Sequence, residues 1–266
     1  MGGKPRTRTG TVVKIESVNE AANPPATRLN ALLAEAGLAP LDAAQAQAFE
    51  DYLSLLLRWN ARVNLTAIRD EEGILRRHFV ESIACSRALP AGIRTLLDFG
   101  SGAGFPGIPI ALCRPEIAVT LAESQGKKAA FLREAVRQLG IGAKQSADRL
   151  VSEGGGGFTP RIQPAETAGA LAPAGCSVHS GRAEVLHTVF DCVTLRAVDR
   201  MELAVQAAAQ LVRPGGWLAL LTTTATLPAL QAAAGADFSW PTPLPQPGGE
   251  DHVLALGARS SGLAPA

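Results

Sequence analysis

Aromatic side chains are scarce in these 266 residues: eight Phe, three Trp and a single Tyr make up 5% of the chain. Charge is equally sparse, with 18% charged residues and a formal net charge of +1. Overall electrostatics therefore select no partner, and any nucleic-acid contact has to come from a local basic face. Only four cysteines occur, Cys85, Cys113, Cys176 and Cys192, with no C-x-x-C pair among them. A disulfide framework and zinc-ribbon spacing are excluded, leaving reduced, buried thiols as the expectation. The histidines at 78, 179, 187 and 252 lack ligand spacing, so no metal is expected, and neither G-x-S-x-G nor H-E-x-x-H is present. No apolar run approaches the roughly 20 residues of a membrane helix. The polar, basic residues 1–14 carry no signal-type apolar stretch, so a cytoplasmic protein without a membrane partner is expected. The length suits one core with a small appended segment.

Glycine and proline, by contrast, number 27 and 18 and are unevenly spread. Residues 1–26 read as a disordered basic tail, where Pro24 and Pro25 would interrupt any helix. Residues 141–175 contain four consecutive glycines, 154–157, and read as an irregular insertion. The last residues, 260–266, read as a second tail.

Residues 27–92 form a helical segment expected to pack on the core. Asp42 is a candidate N-cap, and Phe49, Tyr52, Leu53, Leu56 and Leu57 make one apolar stripe of a helix of about five turns. A further helix is expected over 70–89, with Leu75, Phe79 and Ile83 four residues apart. Seven arginines against four acids lie between 58 and 94, an excess consistent either with a phosphate-facing surface or with a solvated helix face.

From 93 to 259 strands and helices alternate, which implies a mostly parallel sheet covered on both sides. Strands are expected over 93–99, 117–122, 176–179, 190–195 and 217–222, with Arg213-Pro214-Gly215-Gly216 as a tight turn and an edge strand over 253–256. The strand-to-helix turn after the first of these reads Asp98-Phe99-Gly100-Ser101-Gly102-Ala103-Gly104-Phe105-Pro106-Gly107. Glycines at such a turn let a ligand approach the backbone. Gly102 to Gly107 is literally G-x-G-x-x-G, so a dinucleotide is a candidate ligand. Asp98 at the strand end, Pro106 where a long phosphate-binding helix would begin, and the late Arg-Pro-Gly-Gly turn favour S-adenosylmethionine instead. Glu123 ends the second strand, where a carboxylate accepts hydrogen bonds from two vicinal ribose hydroxyls. Methyl transfer from a sulfonium relies chiefly on alignment.

Trp59-Asn60-Ala61-Arg62-Val63-Asn64-Leu65-Thr66, Arg77-His78-Phe79-Val80-Glu81-Ser82, the turn 98–109 and Ser124-Gln125-Gly126-Lys127-Lys128 together resemble the glucose-inhibited division protein B family, the small-subunit ribosomal RNA methyltransferase G group. The resemblance implies a Rossmann-like class I methyltransferase that uses S-adenosylmethionine on N7 of a guanine in 16S rRNA, acting on that RNA or the small ribosomal subunit, and a monomer is expected. It carries cofactor contacts to Gly100, Phe105, Ala183, Glu184 and Arg196. Asp98, Gly102 and Glu123 complete the expected cofactor set. Arg182 and Arg196 are candidate substrate contacts, and no catalytic residue is assigned. Two departures stand out: the 141–175 insertion, and Thr222-Thr223 where relatives carry Lys-Gly. A small-molecule acceptor, or a non-catalytic RNA- or ribosome-binding protein of the same fold, are the alternative readings.

Overall fold

The computed structural model describes residues 23–142 and 174–262. Most of the expected N-terminal tail, the interior of the expected insertion and residues 263–266 lie outside them.

The chain begins with α1 (Pro25–Glu35) and α2 (Ala43–Asn60), followed by a helical run divided into α3 (Glu71–Ile74), a π-helical segment (Leu75–Val80) and α4 (Glu81–Ala88). Pro24 and Pro25 do not interrupt a helix; they start one, as N-cap and first helical residue of α1. Proline's fixed φ suits that position, and its missing N–H is one that no helix start can satisfy. Asp42 caps α2 as expected, its side chain accepting from the Gln45 amide at 2.8 Å in a reciprocal capping box. The 70–89 helix is real but not uniform. Leu75, Phe79 and Ile83 are at most 1% exposed. Successive steps of four drift around a 3.6-residue helix, and a π turn at 75–80 takes up part of that drift.

The sheet is built from β1 (Thr95–Phe99), β2 (Ala118–Glu123), β3 (Cys176–Ser180), β4 (Phe190–Arg196), β5 (Val212–Thr223), β6 (Phe238–Ser239), β7 (Leu244–Pro245) and β8 (His252–Arg259). The order is β3-β2-β1-β4-β5-β8-β6, with β7 also on β8. The first five are parallel and β8 runs antiparallel to β5. The 253–256 segment is therefore not an edge: β8 lies between β5 and β6. The Arg213–Gly216 turn is likewise absorbed into β5 as an irregularity, because Phe190 pairs with Val212 while Cys192 pairs with Trp217. Gly215 takes the left-handed φ of 71° that this bend needs.

Helices α5 (Gly107–Cys113) and α6 (Gly126–Gln138), with the N-terminal helices, cover one face of the sheet in a single apolar cluster. The other face is covered by α7 (Met201–Gln210) and α8 (Leu227–Ala234). Cys85, Cys176 and Cys192 are buried in these layers, and burial pushes the Cys85 and Cys176 thiols up to about 12. Among the described residues no helix is long and apolar enough to cross a membrane, and no three His, Cys, Asp or Glu side chains gather as a metal set.

Strand order reverses between β1 and β4, where connections leave in opposite directions and open a crevice above the carboxyl ends of the strands. The glycine turn after β1 sits at that point.

Candidate functional site

The glycine turn is fixed from three sides. From behind, Asp98 is 1% exposed; its carboxylate accepts from the Gly107 amide at 3.2 Å and from the Thr194 hydroxyl at 2.9 Å. A side chain at Gly107 would strike that carboxylate and Leu121, so only glycine fits. From below, Tyr52 on α2 donates to the Ala103 carbonyl at 2.5 Å and packs between Phe79 and Phe105, with ring centroids 5.3 and 5.4 Å away. The lone tyrosine thus carries the helical segment's apolar stripe directly onto the turn. From the side, Glu123 accepts from the Gly102 amide at 2.9 Å and from the Gln125 amide at 2.7 Å.

Of the two roles open to Asp98, fixing the turn through backbone amides or reaching a ligand's ammonium through water, the hydrogen bond from Gly107 matches the first: the carboxylate braces the turn from beneath. Burial, only partly offset by the bonds from Thr194, Ser101 and Gly107, pushes it up to about 6. The folded chain then holds this proton more tightly than the unfolded chain, so the contribution of Asp98 to stability falls as pH rises from about 4 to about 6. Asp98→Asn removes the titration. In urea melts, the stability of the variant relative to the parent should improve by about 3 kcal/mol between acid and neutral pH; a pH-independent difference would contradict this.

The remaining expected residues converge. Gly100, Gly102, Phe105, Glu123, Arg182, Ala183, Glu184 and Arg196 all line one cleft of about 710 Å³. Ala183 and Glu184 lie on the 3-10 turn Ala183–Val185 after β3, and Arg196 ends β4. Arg182 is well exposed at the rim, 4.0 Å from the Glu184 carboxylate. Arg196 is held rather than free. Its guanidinium pairs with Glu81 at 2.5 Å and donates to the Arg77 carbonyl; the Glu81 side chain is buried and that of Arg196 is 12% exposed. Burial lowers its pKa, partly opposed by Glu81.

The sequence did not single out three of the side chains gathered here. His78 lines the same cleft, stacks on Phe105 with centroids 4.7 Å apart and meets the Thr66 hydroxyl at 2.7 Å. Burial, aided by the Arg196 charge, pushes it down to about 3, so its ring is neutral at physiological pH. Glu81 joins Arg196 to His252, whose Nδ1 lies 2.9 Å from the carboxylate. A side chain at Gly248 would overlap that carboxylate, so the loop before β8 closes directly on Glu81. The Arg77-to-Ser82 motif was the available signal; the π turn aims its residues at the sheet ends.

The cleft fits a nucleoside with a cationic group. Backbone lines one wall where the glycines lack side chains, Glu123 faces it with a carboxylate, Arg196 is paired with Glu81, His78 is neutral by burial, and the exposed Arg77, Arg182 and Arg200 stand at the opening.

A five-stranded parallel sheet extended by an antiparallel strand, with a glycine turn at the switch point, defines the class I S-adenosylmethionine-dependent methyltransferase fold. An O-methyltransferase from Bacillus cereus solved in complex with SAH shares it at a TM-score of 0.50 and 15% identity, over 87% of this chain and 97% of that one. Residues 45–150 match the GidB family model, described as rRNA small subunit methyltransferase G. The ribosomal RNA small subunit methyltransferase G of Stenotrophomonas maltophilia strain K279a is 39% identical over 231 residues, 84% of this chain and 92% of that protein. The namesake protein of Xanthomonas campestris pv. campestris strain B100 is 35% identical, over 90% of this chain and 99% of its own length. The chain belongs to the ribosomal RNA small subunit methyltransferase G family.

Proposed function

We propose that this protein transfers the methyl group of S-adenosylmethionine to N7 of a guanine in 16S rRNA. The observation that carries the reading is the Glu123 carboxylate, set across the cleft mouth by the Gly102 and Gln125 amides, in a chain of this family. Each carboxylate oxygen accepts one bond from the backbone and keeps lone pairs for two vicinal ribose hydroxyls. Gly100 and Gly102 admit the nucleoside to the backbone, Phe105 and Ala183 supply apolar wall, and Glu184 accepts from the base edge.

When bound, the cofactor supplies a sulfonium-activated methyl group that a neutral ring nitrogen attacks in line. The protein's own work is alignment and charge. His78 is neutral and Arg196 is paired with Glu81, so neither adds an uncompensated positive charge beside the transferring group. Arg77, Arg182 and Arg200 lie exposed around the opening and suit phosphate contact.

The test uses the purified chain, methyl-labelled cofactor and small subunits lacking the modification. Label should enter 16S rRNA, and borohydride followed by aniline should cut the RNA at the labelled guanine. Transfer to another atom or to metabolites alone, or no transfer, would refute the reading.

A further inference from the structure

A second cavity of about 790 Å³ opens beside the cofactor cleft. The two share a wall made by Arg77, Arg196, Ala197, Arg200 and Leu203. Within it Ala197 and Arg200 hold left-handed φ values of 49° and 51°, which side chains rarely adopt; such strain collects at working sites. Beyond the wall the cavity lies over the carboxyl ends of β4 and β5 and the start of β8, with Met201, Leu221 and Leu230 as its aliphatic lining. An apolar slot next to the donor cleft suits a planar ring, and the exposed Arg77 and Arg200 suit the phosphates attached to it.

Among the polar groups found only in this second cavity, the threonine hydroxyls are matched to one another and Gln246 is not. Thr222 and Thr223 bond to the Thr226 hydroxyl at 2.6 and 3.0 Å. Gln246 is 8% exposed, and its amide oxygen is buried with no partner. The amide nitrogen lies 3.4 Å from the Pro245 carbonyl, which fixes which end is oxygen. Native structures rarely leave a buried acceptor unmatched.

We propose that this cavity receives the acceptor base, unstacked from the RNA, and that the Gln246 amide oxygen accepts from its N–H edge. The inference rests on the function proposed above. With the nitrogen to be methylated turned to the shared wall, guanine presents N1–H and N2–H donors on its remaining edge. At those two positions adenine has a bare N1 and a C–H, its N6 amine standing where guanine carries O6, so an acceptor set against N1 and N2 goes unmatched by adenine and Gln246 sets the choice of purine.

Three variants test this with small subunits as substrate and SAH calorimetry as control. Ala229→Trp fills the cavity from an exposed position on α8 that the cofactor cleft does not use. It should cut methyl transfer more than tenfold while SAH affinity stays within twofold. Gln246→Leu should lower kcat/KM about tenfold to a hundredfold and reduce the preference for guanine over adenine at the target position by a similar factor; Gln246→Glu, which keeps an acceptor, should restore most of both. Transfer at the parent rate by Ala229→Trp and Gln246→Leu, or losses that follow SAH affinity, would overturn the cavity assignment while leaving the proposed function standing. A parent protein that methylates no subunit would remove both.

Discussion

Glu81→Ala should lower the unfolding free energy by about 3–5 kcal/mol, because it leaves a buried charge without its partner. The Glu81 side chain is 4% exposed and that of its partner Arg196 12%. Truncation leaves a buried guanidinium with only the Arg77 carbonyl and deprives His252 of its acceptor. Desolvation is what makes the loss large: exposed ion pairs such as Arg76 with Glu35 should cost under about 1 kcal/mol when broken. Glu81→Gln keeps the shape and one acceptor and should lose less. Urea denaturation of the parent and both variants checks the order; a Glu81→Ala loss under about 1 kcal/mol would mean the pair is not formed.

Glu123→Ala should weaken SAH binding by about a hundredfold or more, since with the ribose placed as proposed it removes charge-assisted bonds to two hydroxyls, each worth about 1.5–3 kcal/mol. The same carboxylate restrains the Gly102 and Gln125 amides, so part of the loss comes from a turn that must be ordered again on binding. Glu123→Gln separates the two contributions, because its amide oxygen still accepts from one backbone N–H while the charge is gone. Calorimetry with SAH measures both variants. Affinity unchanged in Glu123→Ala would place the ribose elsewhere.

The legible parts of this fold were those encoded locally. The Asp42 capping box, the Phe49-to-Leu57 stripe, of which Leu57 is only partly buried, and the glycines of the turn each declare themselves within a few residues, and Glu123 is found by counting from that turn. Helix α8 and the β6 strand escaped because Leu227–Ala234 is rich in alanine and offers little periodic contrast. β8 looked like an edge because the strand that covers it is only two residues long. For Asp98 the type and position at the strand end were legible, while the side of the turn its carboxylate faces depends on Thr194, 96 residues away. Glu81 was hidden for the same reason. The Arg77-to-Ser82 motif contains Glu81, but its partners are 115 and 171 residues distant, so its role is set by the ends of two strands.

The central claim is a guanine-N7 methyl group placed on 16S rRNA, and mass mapping of small-subunit RNA from cells with and without this protein measures it most directly. The account predicts one N7-methylguanosine, present with the protein, missing without it and restored by the parent chain but not by Glu123→Ala. Small-subunit RNA carrying the same methylated nucleotides in both cell types would contradict it.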